Sequence, residues 1–120
     1  MDMVSPPRNY AARVEARRAL LAKGIERVVD ICRRLADVRA VYIFGSYARN
    51  QIGPRSDLDI LVVRETDLRR LDRDLDLRIA FDVPIGIDIL VVTPSEFVGR
   101  LPLTGFGQTI LHEARQVYAA

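Results

Sequence analysis

Two apolar runs joined by a short polar stretch constrain the fold of this chain more than any other feature. Residues 40–45 read AVYIFG and residues 58–63 read LDILVV, and both runs favour β-strands. The connection between them is short, and a parallel neighbour normally needs a longer crossover, so we expect the two strands to be antiparallel. A third run, IDILVV at residues 87–92, follows a gap long enough for a helix, which favours pairing parallel to the second strand. The end of the first strand and the beginnings of the other two would then meet at one edge of the sheet.

Most of the other apolar residues recur at helical spacing. Residues 8–37 are predicted to be helical, with Gly24 as a position where the segment could divide into two helices. Its apolar stripe consists of Leu21, Ile25, Val28, Cys32 and Leu35. A second helix is predicted over residues 67–81, with Thr66 as its N-cap. Its expected buried stripe consists of Leu68, Leu71, Leu75 and Ile79.

Two shorter helices are predicted after the third strand. The sequence TPSEF at residues 93–97 combines a threonine cap, a proline at the first helical position and a glutamate three residues after the cap. A last helix is expected over residues 105–114. Together these elements predict an α+β fold, a small mixed three-stranded sheet flanked by helices. Residues 1–23 are predicted to form an N-terminal arm, loose over residues 1–7 and helical from about residue 8, and residues 24–120 the domain proper.

Composition narrows the class of protein. Cys32 is the single cysteine, so no intrachain disulfide is expected, and we predict a cytoplasmic protein. No apolar run reaches the ~18 residues that a membrane span needs, and the first ten residues lack the apolar segment of a secretory signal. The first 40 residues carry nine basic and five acidic side chains. Because no aromatic residues alternate with these arginines, a solvated helix face is favoured over nucleic-acid binding.

Three aspartates are predicted to converge at the shared edge of the sheet. Asp57 and Asp59 alternate with Leu58, so both should point to one face, and Asp88 begins the third strand. Carboxylates this close repel each other unless one is protonated or a cation lies between them. Oxygen ligands suit Mg²⁺ or Mn²⁺, and two such ions can hold the attacking and leaving oxygens of a phosphoryl or nucleotidyl transfer. The sequence therefore predicts Asp57, Asp59 and Asp88 as metal ligands and catalytic residues.

A glycine–serine pair at the end of the first strand supplies a candidate phosphate site. Gly45 would let the backbone approach a phosphate closely, and Ser46 opens a turn whose N–H groups and hydroxyl can donate to phosphate oxygens. Arg49 lies near enough in sequence to add positive charge. Ser56, like the preceding Arg55, either contacts phosphate or shapes the loop.

These residues resemble the DNA polymerase β nucleotidyltransferase superfamily. The match consists of GSYAR and SDLD, with ten residues between Ser46 and Asp57, and of IDIL as the source of a third carboxylate. The short length and the ending TILHEARQVY are most similar to its minimal nucleotidyltransferase (MNT) branch, which would occupy residues 24–120. The family commonly has glycine where this chain has Asn50. Asparagine tolerates the left-handed conformation, so we expect the turn to be kept.

The resemblance implies roles and partners. Asp57 and Asp59 would ligate both Mg²⁺ ions, and Asp88 would complete one site and help to deprotonate the acceptor hydroxyl. Gly45 and Ser46 would bind the triphosphate of ATP. Members of this branch are often antitoxins that transfer AMP to a tyrosine of a HEPN toxin, so a HEPN protein is the expected partner.

Other interpretations remain open at this point. The acceptor could instead be a small hydroxyl compound such as an antibiotic, or the chain could bind nucleotide or mask a toxin without catalysis. The second DxD-like sequence, DLDL at residues 74–77, has no upstream Gly-Ser pair and is interpreted as a solvated helix face. His112 is expected at the surface or in packing, and Tyr47 in packing or at the rim of the site.

Overall fold

The computed structural model describes residues 9–120, so the predicted leader at residues 1–7 lies outside the described residues. Five α-helices, four β-strands and two 3₁₀ turns follow one another in this part of the chain. In chain order they are α1 (Tyr10–Cys32), β1 (Val38–Phe44), α2 (Gly45–Ala48), β2 (Leu58–Arg64), the first 3₁₀ turn (Arg70–Asp72), α3 (Leu75–Phe81), β3 (Ile87–Val92), α4 (Pro94–Gly99), the second 3₁₀ turn (Leu101–Leu103), α5 (Gly105–Glu113) and β4 (Arg115–Ala119).

The sheet has the strand order β3-β2-β1-β4. As predicted, β2 is antiparallel to β1 and parallel to β3. The fourth strand was not predicted: β4 pairs antiparallel with β1 at the opposite edge from β3. The prediction of three strands is therefore wrong by one. The missed strand has only five residues, begins with the exposed Arg115 and Gln116, and so lacks the apolar run that identified the other three.

Each face of the sheet carries its own apolar cluster, because side chains alternate along every strand. On β2, Leu58, Ile60 and Val62 pack on one face with α1 and α3, whereas Leu61 and Val63 pack on the other. The second face is covered by residues from α4, α5 and the second 3₁₀ turn, namely Phe97, Leu101, Ile110 and Leu111. Asp59 lies between Ile60 and Leu58 in the chain and therefore shares the second face with Leu61.

Helix α1 is one continuous helix rather than two. Gly24 lies inside it and is buried, and a Cβ atom there would stand 2.7 Å from Ile85 Cδ1. The glycine thus permits close packing of α1 and does not break it. The helix ends at Cys32, earlier than the predicted residue 37, and the boundary predicted between residues 23 and 24 falls within it. Of the predicted stripe, Leu21, Val28 and Cys32 are fully buried, while Ile25 and Leu35 are half-buried against the same cluster.

The predicted helix over residues 67–81 is wrong in its first half and in its buried face. Helix α3 begins only at Leu75, and Thr66 Oγ1 accepts a hydrogen bond from Leu68 N in a local turn instead of capping a helix. The residues buried here are Leu77 and Phe81. All four residues of the expected stripe are exposed: Leu68, Leu71, Leu75 and Ile79. Residues 75–81 are helical, as their spacing predicted. However, α1 packs against the side of α3 that carries Leu77 and Phe81, so Leu75 and Ile79 face away from the core.

The short helix α4 confirms its predicted start signals. Thr93 Oγ1 accepts a hydrogen bond from Glu96 N, and Glu96 Oε1 accepts one from Thr93 N, which together form a capping box. Arg73 also holds Glu96, with Nη1 at 2.6 Å from Oε1. The backbone hydrogen bond from Thr93 and the bond from Arg73 lower the pKa of Glu96 to about 2.

Helix α3 also contains the DLDL sequence, which was interpreted as a solvated face. Asp76 is exposed, but both of its oxygens accept hydrogen bonds from Arg64, whose side chain is 9% exposed. Asp37 binds the same guanidinium from the other side, and the Arg64 bond lowers the pKa of Asp76. This aspartate therefore neutralises a buried arginine at the edge of the core, away from the predicted site.

Candidate active site

Strand register places two of the three predicted aspartates side by side. Asp59 is paired with Phe44 on β1 and with Asp88 on β3, so it lies in the middle of three neighbouring strands. Gly45 follows Phe44 and begins α2. A cleft of about 630 Å³ opens here, between the strand ends and α5. It is lined by five of the predicted residues: Gly45, Ser46, Arg49, Asp59 and Asp88.

Asp59 is half-buried in the cleft. Burial, followed by a hydrogen bond with Asp88 and the negative charges of Asp88 and Asp57, raises the pKa of Asp59 to about 6. Burial is the largest of these effects, and the two neighbouring carboxylates add to it. Their oxygen atoms are the ligands that Mg²⁺ and Mn²⁺ prefer, so the donor chemistry of this pair fits such an ion.

Gly45 is required by the position of Asp59. It has a φ of +75°, in the left-handed region, and a Cβ atom at this position would stand 2.9 Å from Asp59 Cγ and closer still to Oδ2. Glycine is therefore the residue that lets β1 turn into α2 directly over the carboxylate. The predicted role of this glycine was close approach to phosphate, and the structure shows close approach to Asp59.

Asp57 lies apart from the other two aspartates. It is exposed, lies against Gly86, and has Oδ1 at 3.7 Å from Arg17 Nη2. Within residues 9–120, no group of three or more His, Cys, Asp or Glu side chains is arranged to hold a metal ion. The structure thus brings Asp59 and Asp88 together. Asp57, the third predicted ligand, lies just before the start of β2 and is paired with Arg17.

The loop between α2 and β2 is held by the first helix. Asn50 has a φ of +58°, as its sequence position predicted, and its Oδ1 accepts a hydrogen bond from Arg18 Nη1. Arg17 Nε donates to Ser56 O at 2.8 Å. Ser56 Oγ accepts from Gly53 N within the loop and is not among the cleft residues, so its side chain shapes the turn. The basic face of α1 therefore positions the segment that leads into Asp57.

The most important residue that the sequence did not reveal is Glu113, at the end of α5. Its Oε1 accepts a hydrogen bond from Gly45 N at 2.8 Å, and its Oε2 lies 3.0 Å from Arg49 Nη1. Burial opposes ionisation of this carboxyl, but the bonds from Gly45 and Arg49 prevail and lower the pKa of Glu113. Glu113 lies in the TILHEARQVY sequence that resembles the MNT branch, but its role was not predicted, because its partners are 68 and 64 residues away. Glu113 therefore accepts hydrogen bonds from Gly45 and Arg49, two of the residues predicted to bind phosphate.

The chain matches the family model described as "Nucleotidyltransferase domain" over residues 25–85. It belongs to the nucleotidyltransferase domain family. The matched segment includes the Gly-Ser pair and the first two aspartates and stops just before Asp88. The family and its fold therefore confirm the resemblance predicted from GSYAR and SDLD.

A curated relative supports the same assignment. The chain is 30% identical over 82 residues to "Putative protein adenylyltransferase MJ0604" of Methanocaldococcus jannaschii, covering 68% of this chain and 79% of the relative. The relative's name describes an enzyme that transfers an adenylyl group to a protein.

Solved structures confirm the α+β nucleotidyltransferase fold. A "putative nucleotidyltransferase" from Sulfolobus solfataricus superposes with a TM-score of 0.64 at 21% identity, over 98% of this chain and 93% of that one. The MNT antitoxin complexed with the tri-AMPylated HEPN toxin of Shewanella oneidensis has a TM-score of 0.50 at 18% identity, over 83% of this chain and 73% of that one. No helix formed by residues 9–120 is long and apolar enough to span a membrane.

Proposed function

We propose that this nucleotidyltransferase transfers AMP from ATP to a tyrosine hydroxyl of a HEPN toxin and thereby acts as its antitoxin. The observation that carries the proposal is the pairing of Asp59 with Asp88 beneath Gly45, in a cleft at the end of β1. The name of the curated relative and the AMPylated toxin in the related complex favour protein as the acceptor.

The proposed reaction is an in-line displacement at phosphorus. The acceptor oxygen forms a bond to the α-phosphorus of ATP, the bond from that phosphorus to the bridging oxygen breaks, and pyrophosphate leaves. Two Mg²⁺ ions bound by Asp57, Asp59 and Asp88, with Mn²⁺ as a substitute, would supply charge neutralisation for the attacking and leaving oxygens. Asp88 is exposed at the cleft and would accept the proton of the hydroxyl. Its neighbour Asp59 would be fully ionised once a cation offsets the repulsion between them.

The proposed triphosphate site lies in the same cleft as the carboxylate pair. Gly45 N–H, Ser46 and Arg49 face it, but Glu113 holds the first and the last of these in the free protein. Phosphate oxygens would therefore have to exchange with the Glu113 carboxylate for the same donors. Ser56 would contribute through the shape of its loop, because its hydroxyl oxygen accepts a hydrogen bond from Gly53 N and the residue does not line the cleft.

A mass measurement tests the proposal. The protein is incubated with ATP, Mg²⁺ and a HEPN protein encoded beside it, and the intact mass of the HEPN protein is recorded. We expect a gain of one or more AMP units that disappears in Asp59→Asn. Asp67→Asn is the matched control, since this aspartate is exposed and lies outside the cleft.

Two other outcomes would assign a different function. If the HEPN protein gains no mass but is still neutralised by Asp59→Asn, the chain masks its partner without catalysis. If it is neither modified nor bound, while a small hydroxyl compound accepts AMP, the acceptor is not protein. Either result would refute the proposal.

A further inference from the structure

A row of apolar side chains is exposed next to the active-site cleft. Leu71 is 81% exposed, Leu103 is 80% exposed and Phe106 is 66% exposed, although each is a large hydrophobic residue. With Ile89 and Leu90 of β3 they line a groove of about 750 Å³. Leu71 was expected in the core from its spacing. Contiguous exposed apolar surface of this kind marks an interaction site more often than chance.

The groove is continuous with the cleft that holds Asp59 and Asp88. Ile89, Leu90 and Phe106 line both. Ile89 is the residue that follows Asp88 on β3. A molecule that occupied the groove would therefore reach the carboxylate pair without leaving the surface.

Strand β3 gives the groove a backbone edge. It is the terminal strand in the order β3-β2-β1-β4, so no strand formed by residues 9–120 pairs with its outer side. Such an edge can accept an extended segment as an additional strand, with alternate side chains of that segment directed into neighbouring pockets. An edge strand beside an apolar groove favours an extended occupant over a compact one.

The charges around the groove favour an occupant that carries acidic groups. Asp74 and Glu96 lie in its lining, but Asp74 is paired with Arg78 and Glu96 with Arg73. Arg100 also lines the groove, is exposed, and makes no ion pair within the described chain. The uncompensated charge at the rim is therefore positive, and long-range attraction would select an acidic partner.

We propose that this groove docks an extended apolar segment of the acceptor protein, flanked by acidic side chains, and so directs its hydroxyl into the cleft. The inference rests on the proposed function, because it takes the acceptor to be a protein. It adds the surface that recognises the acceptor, made by the two 3₁₀ turns, β3 and the start of α5.

Two substitutions in exposed groove residues test the docking surface. Leu71→Asp and Leu103→Asp place a carboxylate in the groove without disturbing buried packing, since both side chains are about 80% exposed. Val98→Asp is the matched control: Val98 is 76% exposed on α4 and does not line the groove. For each variant we would measure the Kd for the adjacent HEPN protein by calorimetry, AMP transfer to it by mass, and ATP binding to the variant alone.

We expect the groove variants to bind the HEPN protein at least roughly tenfold more weakly, as for interface anchors, and to transfer AMP correspondingly slowly. Their ATP binding should match that of Val98→Asp, which shows that the cleft is intact. Arg100→Glu reverses the charge at the rim of the groove, so it should weaken HEPN binding more strongly at low salt than at high salt.

Unchanged HEPN affinity in the groove variants would overturn the inference. So would conversion of a dimer to a monomer with HEPN binding retained, which would make the groove a contact between copies of this chain. Failure of the proposed function is distinguishable from both. In that case the wild-type protein transfers no AMP, while the comparison of HEPN affinities still decides where the partner docks.

Discussion

Replacement of Gly45 by alanine tests the geometry of the carboxylate site directly. The added Cβ atom would lie 2.9 Å from Asp59 Cγ, and the backbone has a φ of +75° that alanine adopts at a cost of roughly 1–2 kcal/mol. The crowded carboxylate must also move, and overpacking of this kind costs about 1–3 kcal/mol. We therefore expect a loss of roughly 2–5 kcal/mol in the free energy of unfolding. At about 4 °C per kcal/mol for a domain of this size, the Tm should fall by roughly 8–20 °C.

Gly99→Ala is the matched control for this variant. Gly99 ends α4, and a Cβ atom there would meet no atom within 4 Å. We expect its free energy of unfolding to remain within about 0.5 kcal/mol of the wild-type value. Both variants would be compared by urea denaturation followed by circular dichroism, and AMP transfer would be measured below the Tm of the less stable variant. A Gly45→Ala protein as stable as Gly99→Ala, with full activity, would refute the placement of Gly45 over Asp59.

Three further outcomes follow from carboxylates outside the Asp59–Asp88 pair. The folded state lowers the pKa of Glu96 to about 2, from an unfolded value near 4.5, so its charge should stabilise the fold by about 3 kcal/mol above pH 5 and lose this effect as the pH falls from about 4.5 to 2. Urea denaturation of Glu96→Gln and of the wild type across this range should show the difference in stability shrinking towards acid pH. Asp76→Asn should destabilise the protein by about 1 kcal/mol in urea denaturation, because Arg64 then keeps only one of its two carboxylate partners. Glu113→Gln should tighten ATP binding roughly three- to tenfold in calorimetry, because Arg49 loses its internal counter-charge; weaker binding would show that Glu113 instead orients the site.

The parts of the site that the sequence predicted depend on local patterns and connection lengths. The three apolar runs, and the lengths between them, determined which strand ends meet, and so they placed Asp59 beside Asp88 correctly. The turn at Asn50 followed from a single residue preference, and its φ of +58° confirms it.

The parts that were missed depend on contacts between distant segments. Glu113 and Arg17 reach the site from the two ends of the described chain, and nothing in their immediate neighbours distinguishes them from other charged helix residues. The stripe of Leu68, Leu71, Leu75 and Ile79 has the spacing of a core helix and yet is exposed. Helix α3 begins only at Leu75, and α1 packs against its other side. The separation of Asp57 from the other aspartates is likewise a matter of side-chain orientation, set partly by its ion pair with Arg17.

The continuity of α1 bears on where the chain can be shortened. The family match begins at residue 25, yet Leu21 is fully buried in the core and Val14 packs against it. A shortened protein beginning at the family boundary would uncover part of the core cluster and would lose the hydrogen bonds that Arg17 and Arg18 donate to the loop before Asp57. Residues 10–24 therefore cover part of the hydrophobic core and are not an appendage. A shortened or fused version of this enzyme should retain α1 from Tyr10 onward.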